Sequence, residues 1–167
     1  MESDRPAPAD VAKTAWDAFR LDAESAPAIT LRGGAACDDY RDPPPYDAAL
    51  DSPTDDYLER YAFHGLPYLD AASWRHYLPR LIDYAMRHLD GSNGMVVEGL
   101  LWSLRPPDRE PPRLAAITPG QEQVIVSFLE RLAFGDERLP ERDLALQVME
   151  EWWIPGALYR PPDQAGG

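Results

Sequence analysis

Apolar residues recur at steps of three and four along SWRHYLPRLIDYAMRHL, residues 73–89, and this spacing constrains the fold more than any other feature of the sequence. On an α-helix, such steps place the side chains on one face, which is typical of a core stripe. Asp70 is a suitable N-cap for a helix from Ala71 to about Leu89. Pro79 lies inside this helix, so we expect a kink or a break near Tyr77–Leu78. The expected core residues are Trp74, Tyr77, Leu78, Leu81, Ile82, Ala85 and Leu89.

The same spacing predicts further helices, separated by segments rich in proline and glycine. They cover about residues 9–22, 55–65, 95–104, 118–135 and 140–153. Asp10 is the expected N-cap of the first, and Gly65 is the expected C′ glycine of the second. The helix after residue 117 has the clearest start, because Thr118, Pro119 and Gln121 fit the N-cap, N1 and N3 positions of a capping box.

Residues 23–54 have no sustained period and are rich in Gly, Pro and Asp, which predicts a long loop with a short strand near Ile29–Arg32. We therefore expect the all-α class, as an irregular bundle of five or six helices with a long acidic Pro/Gly-rich loop. A single helical domain would span residues 1–154, followed by a flexible C-terminal tail over residues 155–167. A chain of 167 residues can bury a sufficient core without a disulfide or metal, and Cys37 is its only cysteine.

The charge of the chain bears on its partners. The sequence has 29 acidic and 16 basic residues, for a net charge of -13. Such a surface repels nucleic-acid phosphate and anionic membranes and attracts basic proteins, although acidity can also serve solubility alone. The first ten residues lack a signal-peptide layout, and no apolar run approaches the length of a membrane span. We expect a cytoplasmic protein with no nucleic-acid or membrane partner.

The acids are concentrated between residues 38 and 59, where eight of them accompany the single base Arg41 and several tyrosines. Carboxylates attract a basic partner at long range, and tyrosines supply rigid contact area. We interpret the segment as a surface that binds a basic protein; a solvated, mobile loop is the alternative. The candidate partner-binding residues are Asp38, Asp39, Tyr40, Asp42, Tyr46, Asp47, Asp51, Asp55, Asp56, Tyr57 and Glu59.

No catalytic or metal-binding motif is present in the sequence. His76 would be the natural base of a site that includes Arg75, but Asp83 lies two helical turns away, about 10 Å along the axis, and cannot pair with it. The three histidines are twelve residues apart each time, without the HxxxH or HExxH spacing of a zinc site. We expect no catalytic residues, no metal and no cofactor.

Two adjacent tryptophans, Trp152 and Trp153, close the last predicted helix. Neighbouring residues on a regular helix point about 100° apart, so both cannot face the same core. We expect one of them to cap the core and the other to pack on the tail or on a second copy of the chain. A homodimer is therefore an open alternative.

Two spaced motifs resemble those of a family of small uncharacterised bacterial proteins. In that family a helix with an aromatic-Arg-x-Tyr/Phe-Leu-Pro pattern is followed by a helix start of the form Leu/Ile-Thr/Ser-x-x-Gln. The resemblance covers roughly residues 50–135, implies no catalytic residues, and marks the first motif as a fold signature. The matching positions are Trp74, Arg75, Tyr77, Leu78 and Pro79, then Ile117, Thr118 and Gln121.

These observations favour a non-enzymatic, acidic protein-binding module. The most concrete form of this hypothesis is an immunity-type or antitoxin-type inhibitor of a basic partner protein. A small structural or regulatory homo-oligomeric domain is the second hypothesis. A small enzyme with a site around Arg75 and His76 is the third.

Overall fold

The computed structural model describes residues 5–136 and 138–162. Within these ranges the regular structure is entirely helical, with no strand. The predicted all-α class is confirmed, but the described residues form eight α-helices rather than five or six. These are α1 (Pro8–Ala18), α2 (Arg20–Glu24), α3 (Leu31–Asp38), α4 (Asp55–Gly65), α5 (Ala71–Arg87), α6 (Val96–Ser103), α7 (Pro119–Phe134) and α8 (Arg142–Val148). A 3-10 turn, Leu66–Tyr68, follows α4, and a π-helical turn, Met149–Trp153, follows α8.

The core forms where α1 packs against α5 and α7, while α3 pairs with α4, α4 contacts α6, and α8 lies on α7. The predicted stripe of α5 is buried from Trp74 to Ala85. Asp70 caps the helix as expected, its side chain accepting a hydrogen bond from the amide of Ser73. The capping box of α7 is also present, with Thr118 and Gln121 each accepting from the other's backbone amide. No helix of the described residues is long and apolar enough to cross a membrane.

The predicted break at Pro79 is absent, because α5 continues through it. Pro79 itself is buried, and Leu78 and Leu81 beside it are fully enclosed in the core. The Arg80 side chain donates to the carbonyl of His76 at 3.2 Å, in the turn that the proline disturbs. Tertiary packing therefore outweighs the cost of a proline inside this helix.

The prediction of a structureless segment over residues 23–54 with a strand at Ile29–Arg32 is wrong, because α3 lies within it. Thr30 caps α3 by accepting from the amide of Gly33 at 2.8 Å. Gly33 and Gly34 argue against a helix, but the packing of α3 requires the second of them. A Cβ on Gly34 would lie 2.3 Å from the carbonyl oxygen of Gly65, and one on Gly65 would lie 2.3 Å from that of Leu31. Gly65 thus permits a close helix crossing, and its φ of -86° is not that of a left-handed C′ glycine.

The two ends of the domain also differ from expectation. The first predicted helix is divided at Phe19 into α1 and α2, and Ala7 rather than Asp10 occupies the N-cap position, since Pro8 is preorganised for N1. Trp152 and Trp153 are both buried in a π-helical turn, although a regular helix would direct them apart. Of the predicted C-terminal tail, residues 155–162 are described and residues 163–167 lie outside the described part.

Each tryptophan has its own neighbour. The guanidinium carbon of Arg160, in the C-terminal segment, lies 5.6 Å from the ring centroid of Trp152. The Trp153 indole donates to the carbonyl of Leu104, at the end of α6, at 2.9 Å. Both tryptophan side chains therefore make contacts within a single chain.

Candidate partner-binding surface

An acidic loop, residues 39–54, connects α3 to α4 and contains the centre of the predicted binding segment. Its base is organised by Asp51, which is only 2 % exposed. The Asp51 carboxylate accepts two hydrogen bonds from the Arg32 guanidinium, at 3.0 and 2.9 Å. It also accepts from the Tyr57 hydroxyl at 2.8 Å and from the amide of Asp47, within the loop, at 2.9 Å. The carboxylate thus ties both helices and the loop together.

The electrostatics of this base favour a charged carboxylate. Burial alone would raise the pKa of Asp51, but the hydrogen bonds from Arg32, the Asp47 amide and Tyr57 outweigh it and hold the pKa below its usual value. Burial raises the pKa of Tyr57, with the neighbouring Tyr77 contributing next. The Tyr57 hydroxyl accepts from the amide of Arg32 at 3.1 Å, at the start of α3. The base of the loop is therefore a satisfied internal network.

Three aromatic or apolar side chains along the loop face solvent. Tyr40 is fully exposed, Tyr46 is 51 % exposed and Leu50 is 56 % exposed. Tyr40 follows the end of α3 in a left-handed conformation, with φ at 60°. Its amide donates to the carbonyl of Cys37, and the amide of Arg41 donates to that of Ala36, which forms a Schellman motif.

Glycine is the usual residue at this position of a Schellman motif, because a side chain with positive φ is strained by about 1–2 kcal/mol. Tyr40 occupies it here with its ring entirely in solvent. Because the ring is fully exposed, packing against the described residues does not offset this strain. We regard Tyr40 as the most unusual residue of the candidate surface.

The predicted partner-binding residues divide according to their surroundings. Asp51 and Tyr57 are buried and belong to the base of the loop, so their side chains are not available to a partner in this conformation. Three more acids are held by side chains of the same chain: Asp38 accepts from Tyr68 and lies 3.1 Å from His64, Asp55 pairs with Arg87, and Glu59 accepts from Tyr84. The residues that remain open at the surface are Asp39, Tyr40, Asp42, Tyr46, Asp47 and Asp56.

Two of these open acids have weak local contacts. Asp39 lies 3.3 Å from the exposed guanidinium of Arg41, and Asp47 accepts from the amide of Ala49 at 2.9 Å. An exposed ion pair contributes about 0–1 kcal/mol, so neither contact prevents a partner from competing. The sequence does not mark Leu50 as exposed; it lies in the turn that the Asp51 amide closes on the carbonyl of Asp47.

The Arg75 and His76 pair of the third hypothesis lies elsewhere, around Asp22 in the middle of α2. The Arg75 Nε and the Gln121 Nε2 donate to the two carboxylate oxygens of Asp22, at 3.1 and 2.9 Å. The His76 Nδ1 lies 3.1 Å from the carbonyl oxygen of Asp22. Burial, and the charge of Arg80 next, lower the pKa of His76. This cluster joins the two sequence motifs to α2, and no nucleophile of the described residues is hydrogen-bonded to His76.

Metal-binding residues do not converge in the described part of the chain. No group of three or more His, Cys, Asp or Glu side chains there could hold a metal ion. Cys37 is a partly buried free thiol beside the acidic loop.

The described residues form an all-helical domain in which residues 39–54 connect α3 to α4 without regular structure. The chain belongs to a protein family: residues 8–157 match the model described as Family of unknown function (DUF6714). Searches against curated proteins and against solved structures found no match.

Proposed function

We propose that the protein is a non-enzymatic binding module whose acidic loop contacts a basic partner protein. The observation that carries the proposal is Tyr40, a fully exposed aromatic side chain held in a left-handed conformation where glycine is the ordinary residue. Strained residues persist where the surroundings fix them, and they cluster at functional sites. A partner that covers the Tyr40 ring would offset the cost of this strained conformation.

The charge pattern supports a basic partner. Asp39, Asp42 and Asp47 lie in the same loop as Tyr40, and the net charge of the chain is -13. Complementary charge accelerates encounter and suppresses wrong partners, whereas aromatic side chains supply contact area once the complex has formed. The loop combines both.

The fixed base of the loop supports tight binding as well. A mobile loop loses about 0.5–1.5 kcal/mol per side chain that becomes ordered on binding, and a preorganised loop avoids part of this cost. The contacts of Asp51 with Arg32, Tyr57 and the Asp47 amide order the loop before a partner arrives.

The most concrete form of the proposal is an immunity-type or antitoxin-type inhibitor, since a small acidic protein with a preformed contact loop suits the neutralisation of a basic protein. The alternative of a homo-oligomer through Trp152 and Trp153 lacks an accessible surface at those two residues, because both are buried within the chain. We also propose that the motifs that meet at Asp22 are the fold signature of a bacterial family.

The test compares two variants with the same total charge. The first carries Asp39→Asn, Asp42→Asn and Asp47→Asn, which keep the local hydrogen-bond acceptors of the loop. The control carries Asp10→Asn, Asp17→Asn and Glu24→Gln, three exposed acids on α1 and α2. Against a purified partner, we expect the loop variant to lose association rate and salt dependence, and the control to retain most of both. Equal losses in the two variants would refute a contact at the loop.

A further inference from the structure

A cleft of about 430 Å³ lies between α4 with its following 3-10 turn, α6, and the proline-rich connector that leads to α7. None of its lining residues belongs to the acidic loop, residues 39–54. One part of its lining is apolar, and the other contains three arginines beside two carboxylates, Asp38 and Asp108, in a chain with a net charge of -13. Its lining includes Phe63, Leu66, Trp102, Arg105, Arg109 and Arg113.

The connector is folded around the carboxylate of Asp108. This carboxylate accepts hydrogen bonds from the amides of Arg109, Arg113, Leu114 and Ala115, at distances of 2.7 to 2.9 Å. Burial alone would raise the pKa of Asp108, but these backbone hydrogen bonds outweigh it and hold the pKa below its usual value. The negative charge of Asp108 is therefore engaged by backbone amides. Among the described residues, its carboxylate forms no ion pair with the guanidinium of Arg109 or Arg113.

Arg113 is a buried cation without a carboxylate partner in the part of the chain that the structure describes. Arg113 is only 3 % exposed and lines the cleft. Its guanidinium carbon lies 4.7 Å from the ring centroid of Trp74. Its Nη2 donates to the carbonyl of Leu66 at 3.2 Å, while its buried Nε has no acceptor. Burial lowers the pKa of Arg113 to about 9, with a further contribution from the charge of Arg109, so the guanidinium remains protonated at pH 7.

The two other arginines of the cleft differ in how far they are engaged. Arg105 is paired with Glu151 at 2.8 Å, and its guanidinium carbon lies 4.4 Å from the ring centroid of Trp102. Arg109 is exposed, and the one hydrogen bond of its guanidinium within the described residues is a long one, 3.4 Å, to the carbonyl of Leu69. Arg109 and Arg113 thus have guanidinium donors to offer, whereas Arg105 supports the aromatic wall.

A buried unpaired charge is costly, and a planar guanidinium matches a carboxylate through two parallel hydrogen bonds. We propose that this cleft binds a small monocarboxylate with a flat apolar body. The carboxylate meets Arg113 and Arg109, and the body lies against Trp102, Phe63 and Leu66. A single negative charge suits the cleft better than a phosphate dianion, because Asp38 and Asp108 lie on its lining and the net charge of -13 repels a dianion more strongly than a monoanion. This site is independent of the proposed function of the acidic loop.

The test uses nuclear magnetic resonance of the full chain with a panel of small aryl and alkyl monocarboxylates, each compared with its neutral amide. The indole N–H signal of Trp102 and the Nε–H signal of Arg113 report on the two ends of the cleft. We expect a saturable shift of both signals with the acids, and a response at least about tenfold weaker with the amides, since the charge-assisted hydrogen bonds are lost. Inorganic phosphate is the third arm and should not saturate these signals.

Two variants connect the shifts to the proposed residues. Arg109→Gln removes an exposed charge and should weaken carboxylate binding about tenfold without affecting the fold. Arg20→Gln, an exposed arginine on α2, is the matched control and should bind as the wild type does. Arg113→Lys retains the charge without the planar fork and should bind more weakly than the wild type.

Several outcomes would overturn the assignment. One is that no acid of the panel gives a saturable shift, and another is that the amides bind as well as the acids. Equal losses in Arg109→Gln and Arg20→Gln would place the binding outside the cleft. Saturation by phosphate with the affinity of the acids would contradict the apolar part of the proposal.

Discussion

The base of the acidic loop and the connector cleft each bury a charged side chain, but only the charge at the base of the loop has a counter-ion. Asp51 accepts four hydrogen bonds, two of them from Arg32, and has a counter-ion. The Arg113 guanidinium donates one hydrogen bond, to a carbonyl, and has no carboxylate partner in the described part of the chain. A paired charge of this kind holds structure together. An unpaired one is a candidate for binding a ligand.

The largest expected effect comes from breaking the paired charge. Asp51→Ala leaves the guanidinium of Arg32 without its counter-ion and removes the link to Tyr57, which should destabilise the protein by about 3–5 kcal/mol. Urea denaturation followed by circular dichroism measures the change. Asp42→Ala in the same loop is the control, and it should stay within about 0.5 kcal/mol of the wild type. Equal effects in the two variants would contradict the assigned role of Asp51.

The next largest effect concerns the helix crossing that both regions share. A Cβ on Gly65 would meet the backbone of Leu31 at the start of α3, and Leu66 beside Gly65 accepts from Arg113 in the cleft. Gly65→Ala should destabilise by about 1–3 kcal/mol, because the new Cβ meets backbone that cannot move aside freely. Gly120→Ala is the matched control, since a Cβ there has no heavy atom within 4 Å. A neutral Gly65→Ala would show that the crossing can relax.

Tyr40 extends the comparison to an exposed residue. Tyr40→Gly should stabilise the free protein by about 1 kcal/mol, because glycine adopts the left-handed conformation without strain. The same variant should weaken binding of the basic partner, since it removes the exposed ring. Thermal and urea denaturation give the first quantity and a binding titration gives the second. A gain in stability without loss of binding would leave the strain at Tyr40 unexplained by the proposed function.

The smallest change in stability is expected for the unpaired charge. Arg113→Met removes one hydrogen bond and the contact with the Trp74 ring, but it also removes an unpaired buried charge. The two effects should nearly cancel, within about 1 kcal/mol. Denaturation under the conditions used for Asp51→Ala allows a direct comparison. A loss as large as that for Asp51→Ala would assign Arg113 to the structure rather than to a ligand.

The sequence predicts the helices whose apolar stripe is long and whose start is marked. Examples are α5, with Asp70 at its N-cap, and α7, with its Thr118 and Gln121 capping box. It does not predict α3, because two adjacent glycines disfavour a helix unless the crossing partner is known. That partner, Gly65, lies about thirty residues further on.

The candidate surfaces are predictable to different degrees. The concentration of acids between residues 38 and 59 is visible in the sequence, but whether an acid faces inwards is not. Asp51 and Asp42 are both aspartates of one loop, and only the fold places Asp51 against Arg32. In the connector RPPDREPPR, the residue types do not show that Arg113 is buried while Arg109 is exposed. That distinction depends on the hydrogen bonds that the Asp108 carboxylate accepts from backbone amides of the connector.

Site-specific photocrosslinking from position 40 tests the central claim, that the acidic loop binds a basic protein, most directly. A photoreactive aromatic residue replaces Tyr40 in one protein and Leu21, exposed on α2, in the control. Both are irradiated in lysate of the source cells at low and at high salt. The account predicts that one basic protein is crosslinked from position 40, and that this product is lost at high salt and absent from position 21. The purified chain should bind that protein with an affinity that Tyr40→Gly reduces. The same products from both positions, or none from position 40, would contradict it.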